Sequence, residues 1–232
     1  MASLTMHDLV FLIDLDNTLV DHDELKVRIS NILNECAPRH GSEVFWQLYE
    51  EVREETGIVS LPETARRYGV ACGSRLIGAD VEQRLWDFPF ADLVYPRAAE
   101  VLAHLSTMGL PILLCDGDVE FQLHKLKMAG LAGHFGKRGF VFDHKEAHID
   151  EVEQAFPARH YVMVDDKPRI HAAMRAALGN RVTTVFVRQG GYGHSVAPGV
   201  YDYLDLAVEA LPELLSLTAS HFGAVASVGP HG

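Results

Sequence analysis

The stretch Leu9-Val10-Phe11-Leu12-Ile13-Asp14-Leu15-Asp16-Asn17-Thr18-Leu19 decides the fold that this sequence predicts. It begins with an uninterrupted apolar run, which is typical of a strand buried on both faces inside a parallel sheet. The run ends in two carboxylates, Asp14 and Asp16. Burying a charge is costly unless the charge is paired or bound to a metal, so folding alone does not explain these acids. Open α/β sheets bind ligands at the carboxyl ends of their strands, and we therefore expect a functional site here.

The overall composition excludes several classes of protein. The chain has 232 residues, of which 48% are hydrophobic and 22% charged, as in ordinary soluble domains. Its formal net charge of −12 argues against a nucleic acid or an anionic membrane as partner. No apolar run approaches the ~20 residues that span a bilayer, and the first residues have no signal-peptide layout. The scattered cysteines Cys36, Cys72 and Cys115 fit neither a zinc site nor a disulfide set, which favours a reducing, cytoplasmic location.

The order of predicted elements indicates an α/β fold with an insertion. From about Asp23 to Asp92 the apolar spacing predicts four helices and no strand. From Tyr95 onward strands and helices alternate, which predicts a Rossmann-like, doubly wound parallel sheet of five strands. Residues 204–217 are predicted to form the last helix, interrupted at Pro212, which could also mark the start of a new helix. We expect residues 1–20 and 95–218 to form an α/β catalytic core, 21–94 a helical cap, and 219–232 a flexible tail.

Polar side chains follow four of the predicted strands. Because the carboxyl ends of parallel strands meet at one edge of a sheet, we expect these side chains to converge. They are Asp14 and Asp16 after the first strand, Cys115, Asp116 and Gly117 after the second, His144 and Lys145 after the third, and Asp165 and Asp166 after the fourth.

This set of groups suits phosphoryl transfer. Asp14 could attack phosphorus and form an aspartyl-phosphate, and Asp16 could protonate the leaving oxygen and later activate water. A Mg²⁺ ion held by acidic oxygens would neutralise the phosphoryl group and the nucleophile together. Lys145 would supply a positive charge to the same oxygens.

These residues resemble the motifs of the haloacid dehalogenase-like (HAD) hydrolase superfamily, specifically its Mg²⁺-dependent phosphatase branch with an α-helical cap. The segment 14–18 resembles the first motif of that family, Lys145 the third, and Asp165-Asp166 the acidic pair of the fourth. The resemblance implies that Asp14 is the nucleophile and Asp16 the general acid and base. It also implies a Mg²⁺ ion bound by the Asp14 carboxylate, the Asp16 carbonyl and Asp166, with Asp165 assisting directly or through water. The residues expected to contact the phosphoryl group are Leu15, Asp16, Cys115, Asp116, Gly117 and Lys145.

One position departs from the family pattern. The second motif normally ends its strand with Ser or Thr, whose hydroxyl bonds a phosphoryl oxygen, but this chain has Cys115 there. A thiol is a weak donor, so this contact should be poor. The backbone N–H groups of Asp116 and Gly117 could still reach the phosphate, because glycine permits a close approach.

The leading function is therefore a Mg²⁺-dependent phosphatase that acts on a small phosphorylated metabolite. Alternatives are a 2-haloacid dehalogenase, although the resemblance places no acid equivalent to Asp16 in that branch, and a phosphomutase. Cys115 also leaves open a weakly active or non-catalytic binding protein. The loop 188–194 is expected to be an ordinary flexible connector, with closure over substrate as the alternative, and Phe45, Trp46 and Tyr49 are expected to form the core of the cap. The sequence does not predict the substrate or the oligomeric state.

Overall fold

The structure, a computed structural model, describes residues 5–195 and 204–223. Its centre is one six-stranded parallel sheet. The strands are β1 His7–Ile13, β2 Leu110–Asp116, β3 Gly139–Phe142, β4 Ala158–Asp165, β5 Val182–Val187 and β6 Leu206–Val208. They lie in the order β3-β2-β1-β4-β5-β6. Strands β1 to β3 are added in one direction across the sheet and β4 to β6 in the other, so the order reverses beside β1. The predicted doubly wound parallel sheet is confirmed, and the reversal at β1 is where such sheets bind ligands.

Helices connect the strands and fill the segment between β1 and β2. They are α1 His22–Cys36, α2 Gly41–Thr56, α3 Leu61–Ala71, α4 Arg75–Trp86, α5 Ala98–Ser106, α6 Val119–Met128, α7 Ala132–Phe135, α8 Ile149–Ala155, α9 Pro168–Leu178 and α10 Gly190–Ser195. Helices α1–α4 follow one another without an intervening strand, and residues 22–93 are called the helical insert below. In α1 the residues Leu25, Ile29 and Leu33 recur at intervals of four and are all buried, so one face of the helix packs inward. The division into core, cap and tail stays a prediction.

The apolar run of β1 is buried on both faces of the sheet. Leu9, Phe11 and Ile13 belong to a core that includes residues of the helical insert. Val10 and Leu12 point into a second core with residues of α8 and α9. Alternating side chains of a strand face opposite sides of a sheet, so the absence of polar residues in this run follows from helices covering both sides.

The C-terminal part of the described chain differs from the prediction. Residues 204–217 were expected to be a helix interrupted or restarted at Pro212, and the prediction was wrong for the part before Leu211. Leu206–Val208 instead extends the sheet beside β5, with Leu206 opposite Val185, and Leu211–Ser216 forms a 3₁₀ helix. Pro212 lies in the first turn of that helix, where its missing N–H costs no hydrogen bond.

The expected flexible tail, residues 219–232, is also partly structured. Ala219–Phe222 forms a 3₁₀ turn, and Phe222 is buried with its ring edge-on to Phe11 at a centroid distance of 5.2 Å. The rest of the expected tail, 224–232, and the first four residues lie outside the described residues. Within the described ranges, no helix has the length and apolar content needed to cross a bilayer.

Candidate active site

The ends of β1 and β4 place three carboxylates together. Asp14 directly follows β1, and its backbone N–H donates to the Val164 carbonyl at 3.0 Å, which continues the pairing of these two strands. Asp165 and Asp166 lie at the end of β4. One carboxylate oxygen from each of the three acids lies within 4.8 Å of the others, and all three residues are buried. The sequence predicted that these acids converge, and the structure brings them together.

Lys145 joins two of these acids. It is fully buried, and its Nζ donates to Asp14 Oδ1 and to Asp165 Oδ2, each at 2.6 Å. Burial disfavours the ammonium, but the charges of the two acids outweigh it and raise the pKa of Lys145. Burial also raises the pKa of Asp14, to about 6, against the opposing charge of Lys145. Asp14 is therefore ionised at neutral pH, while its Oδ2 accepts no hydrogen bond from any described residue.

Asp166 is the least satisfied acid of the cluster. Both of its carboxylate oxygens are buried, and neither has a hydrogen-bond partner in the described part of the chain. Burial, followed by repulsion from Asp165, raises the pKa of Asp166 to about 8. Lys167 is the nearest cation, with its Nζ 3.9 Å from Asp166 Oδ1 and 3.9 Å from Asp14 Oδ2. Three buried carboxylates thus share two lysines, and their free oxygens are the hard ligands that fit a divalent cation such as Mg²⁺.

Asp16 occupies a separate polar network beside this cluster. Its Oδ1 accepts from the Lys125 Nζ at 2.6 Å and its Oδ2 from the Gln122 Nε2 at 2.9 Å. The Nδ1 of His22 lies 3.4 Å from Oδ1. Burial opposes ionisation of this carboxyl, but Lys125 and His22 outweigh burial and hold its pKa well below the usual value. Asp16 is therefore a fixed, ionised side chain in this arrangement.

Sequence reasoning missed Lys125 and Gln122. They lie three residues apart on α6, which starts directly after the second predicted motif, so both project from one face of that helix. Both are buried although they are polar. A sequence shows the spacing but not which face of α6 meets β1, and a lysine in a helix is more often solvated.

A cleft of about 180 Å³ lies between the helical insert and the strand ends. It is lined from the sheet side by Asp16, Asp116, Gly117 and Lys167, among others, and from the insert by residues of α1 and α2. Asp14 does not line the cleft, but Lys167 does, and its Nζ lies 3.9 Å from the free Oδ2 of Asp14.

Comparison with known proteins identifies the family. The profile of the haloacid dehalogenase-like hydrolases matches residues 9–179, which is most of the chain and includes every predicted motif. The chain belongs to this family. A haloacid dehalogenase-like hydrolase from Burkholderia xenovorans LB400 is 38% identical, with a TM-score of 0.81 over 92% of this chain and 100% of that chain. No curated protein matched the chain.

More distant structures share the fold of this haloacid dehalogenase-like hydrolase. The HAD hydrolase YfnB from Bacillus subtilis, described as bound to magnesium, is 16% identical, with a TM-score of 0.61 over 91% of this chain and 98% of that one. L-2-haloacid dehalogenase from Xanthobacter autotrophicus, with chloropropionic acid covalently bound, is 20% identical, with a TM-score of 0.57 over 92% and 98% of the chains. At these identities the likeness is one of fold.

The second motif of this HAD hydrolase offers few free donors. The Cys115 thiol is buried in the apolar core, and burial raises its pKa, so it stays neutral. The Asp116 carboxylate accepts from the Lys145 backbone N–H at 2.7 Å. The Gly117 N–H donates to the Phe142 carbonyl at 2.8 Å, so a phosphate would have to displace that bond. Among the predicted phosphate contacts, Lys145 touches the acidic cluster directly, through Asp14 and Asp165. Leu15 is a buried apolar residue and would contribute only its backbone.

The first motif is tied to the helical insert and to the loop after β5. Asn17 has a positive φ of 60°, and its side-chain oxygen accepts from the backbone N–H of His22 at 2.9 Å, at the start of α1. Residues 188–194 do not form the expected flexible connector, because they include α10. A Cβ at Gly190 would overlap the Asn17 side chain, and the Gly191 N–H donates to the Asp23 carboxylate. Glycine is needed here because the two segments touch.

Proposed function

We propose that this hydrolase is a Mg²⁺-dependent phosphatase that acts on a small phosphorylated metabolite through an aspartyl-phosphate at Asp14. The observation that carries the proposal is the cluster of Asp14, Asp165 and Asp166, in which Asp166 has two buried oxygens without a hydrogen bond. Attack on carbon with loss of a halide requires neither a metal nor an acid at the position of Asp16. A phosphoryl group, with its negative oxygens and alkoxide leaving group, requires both.

The donor set fits the ion. Asp14 and Asp166 would hold Mg²⁺ with their carboxylates and Asp16 with its backbone carbonyl, and Asp165 would assist directly or through water. When bound, the ion would neutralise the phosphoryl oxygens and the attacking carboxylate. The magnesium in YfnB, which shares the fold, supports the choice of this metal.

The residues of the chain have separate tasks in the proposed reaction. Asp14 attacks phosphorus through Oδ2, and the phosphorus–oxygen bond to the leaving group breaks. Asp16 is ionised in the free protein, so it first takes up a proton from water when the substrate binds, and then gives that proton to the leaving oxygen. Asp16 then takes a proton from water, the water oxygen bonds to phosphorus, and the bond to Asp14 breaks. Lys145 stays in contact with Asp14 Oδ1 throughout, so the nucleophile keeps its orientation. The low pKa of Asp16 keeps it in the ionised form that this second step requires.

A phosphate-release assay tests the proposal. Purified protein with Mg²⁺ should release phosphate from members of a broad phosphomonoester panel, and chelation of the metal should stop the release. Release of chloride from 2-chloropropionate without added metal, with no phosphate release from any ester, would show a dehalogenase instead.

Replacing Lys125 with Met should lower kcat by about 100-fold, the lower end of what general acid–base catalysis supplies, because Asp16 loses the cation that fixes it. The loss should be larger for phenyl phosphate than for p-nitrophenyl phosphate, since the poorer leaving group depends more on protonation. Lys125→Arg should recover part of kcat. Lys127→Met, at an exposed position of the same helix, is the matched control. Equal kcat values in Lys125→Met and wild type would show that Lys125 does not position Asp16.

Mg²⁺ should stabilise the protein more at pH 8 than at pH 5. The pKa of Asp166 is about 8 in the folded protein, above the ordinary value of 3.8, so the folded state binds this proton more tightly than the unfolded chain does. The stability that the proton contributes is therefore present at low pH and is lost as pH rises toward 8. Metal-free wild type should therefore lose melting temperature relative to Asp166→Asn between pH 5 and pH 8. Mg²⁺ should restore it in the wild type and leave Asp166→Asn unchanged. An equal Mg²⁺ shift in Asp166→Asn and in the exposed-site control Asp8→Asn would place the metal elsewhere.

A further inference from the structure

The helical insert presents two pairs of side chains to the cleft. His22 and Lys26 lie four residues apart on α1, and Tyr49 and Arg53 lie four residues apart on α2, so each pair shares one helix face. All four residues line the cleft. They face the strand ends from the opposite wall, where the part of a substrate beyond its phosphoryl group would lie.

Lys26 is the one cation of this cleft that has no acidic partner in the ranges 5–195 and 204–223. The other lysines and arginines that line the cleft each have a carboxylate oxygen nearby: Arg53 has Glu50 at 3.3 Å, Arg169 has Glu146 at 2.6 Å, and Lys167 has Asp14 at 3.9 Å. The Nζ of Lys26 instead lies 5.8 Å from the centre of the Tyr49 ring. Lys26 is half-buried.

Tyr49 supplies a second unused donor beside it. The residue is only 6% exposed, and its hydroxyl forms no hydrogen bond with any described residue. Burial, followed by the negative charge of Asp16, raises the pKa of this hydroxyl, so it remains a neutral O–H donor. An ammonium and a phenol next to each other can both donate to the same anionic oxygens.

The charge of the molecule makes an unpaired cation here informative. The chain carries a net charge of −12, with 32 acids against 20 lysines and arginines. Carboxylates also line this cleft, but none of those in the described ranges forms an ion pair with Lys26. Glu50, Asp16 and Asp116 are paired with other cations. A neutral or cationic group in front of Lys26 would leave the ammonium without a counter-charge, whereas an anion would supply it.

We propose that the substrate carries a second anionic group, a carboxylate or a second phosphate, and that this group binds the Lys26 ammonium and the Tyr49 hydroxyl. The inference rests on the proposed phosphatase function, because it assigns the transferred phosphoryl group to Asp14 and the second anion to the leaving-group half. Lys26 is then a specificity residue, which selects phosphorylated acids or bisphosphates over neutral alkyl phosphates.

Matched esters test this inference. Alkyl phosphates of two to five carbons are compared in three forms, which end in a methyl group, a carboxylate or a second phosphate. At the best chain length, wild type should use one of the anionic forms with a kcat/KM about 10- to 100-fold above that of the neutral form, the range for a charge-assisted hydrogen bond. The difference should lie mainly in KM, and the better of the two anionic arms identifies the source of the anion.

Variants assign the preference to Lys26. In Lys26→Met the ratio of anionic to neutral kcat/KM should fall to about one, and Lys26→Arg should keep part of it. Lys137→Met, at an exposed position outside the cleft, should keep the wild-type ratio. A wild-type ratio near one at every chain length, or a ratio preserved in Lys26→Met, would overturn the inference.

A binding measurement separates this inference from the function beneath it. Calorimetry with the isosteric Asp14→Asn variant measures affinity for the same esters without turnover. Tighter binding of an anionic form, with no phosphate release by wild type from any ester, would keep the anion subsite and reject the phosphatase. Phosphate release from all three forms with equal rates and equal affinities would keep the phosphatase and reject the subsite.

Discussion

Replacing Asp14 with Asn should lower kcat for phosphate release by at least about 10⁴-fold, as expected when a covalent nucleophile is removed. The amide is nearly isosteric and can still accept from Lys145, but its oxygen does not attack phosphorus. The change also removes one negative charge from a cluster in which Asp14, Asp165 and Asp166 share two lysines. The thermal stability of Asp14→Asn should therefore equal or exceed that of wild type at neutral pH.

Two measurements on the same preparation make this prediction specific. Phosphate release with Mg²⁺ gives kcat, and a thermal melt shows whether the variant is folded. Asp8→Asn makes the same chemical change at an exposed carboxylate and should keep full activity. More than about 1% residual activity in a folded Asp14→Asn protein would contradict the assignment of Asp14 as the nucleophile.

Replacing Lys145 with Met should lower the free energy of unfolding by about 3–5 kcal/mol at pH 7, the usual cost of breaking a buried ion pair by removing one partner. Both partner acids, Asp14 and Asp165, are buried, so neither can turn to water without disturbing the strand ends. For a chain of this size the loss corresponds to a fall of about 6–20 °C in melting temperature. Lys137→Met removes an exposed lysine and should change the melting temperature little.

The stability deficit of Lys145→Met should depend on pH. In wild type, the charges of Lys145 and Lys167 outweigh burial and lower the pKa of Asp165, so the stability that this acid contributes is present at neutral pH and is lost as pH falls. Without Lys145 the pKa values of Asp14 and Asp165 rise, and protonation relieves their repulsion. The deficit should therefore be largest near pH 7 and should shrink toward pH 4. A deficit that is constant across this range would mean that Lys145 stabilises the fold by packing alone.

Much of the sheet and the positions of the candidate groups could be predicted from the sequence. The run from Leu9 to Ile13 identified the central strand, because only a strand covered on both faces tolerates five apolar residues in succession. Parallel strands bring their carboxyl ends to one edge, so the meeting of Asp14, Asp165 and Lys145 followed from the order of elements.

Other features depend on contacts between segments distant in sequence. Leu206–Val208 is too short for its periodicity to distinguish strand from helix, and only its pairing with β5 makes it a strand. The network around Asp16 joins residues 109 positions apart, Lys125 and Asp16, and depends on which face of α6 meets the first motif. The aromatic side chain of Tyr49 was predicted to be cap core, and it is buried, but the residue also lines the cleft.

Cys115 motivates a competing function, a HAD-fold protein that binds but does not turn over a phosphoester. Because residue 115 is a cysteine, the second motif supplies no hydroxyl to a phosphoryl group, and the thiol itself belongs to the apolar core. The other groups of the proposed site are in place: Asp14 has a free oxygen, Lys145 donates to its other oxygen, and Lys125 donates to Asp16. We therefore expect Cys115 to weaken phosphate binding while the nucleophile stays competent.

The most direct test of the central claim, that Asp14 is a phosphorylatable nucleophile in a Mg²⁺ site, is the melting temperature with Mg²⁺ and beryllium fluoride. Beryllium fluoride bound to an aspartate imitates the aspartyl-phosphate, so the test does not depend on knowing the substrate. At saturation the melting temperature of wild type should rise by about 5–10 °C above the value with Mg²⁺ alone, and that of Asp14→Asn should not rise. No rise in wild type, or an equal rise in Asp14→Asn, would contradict the claim.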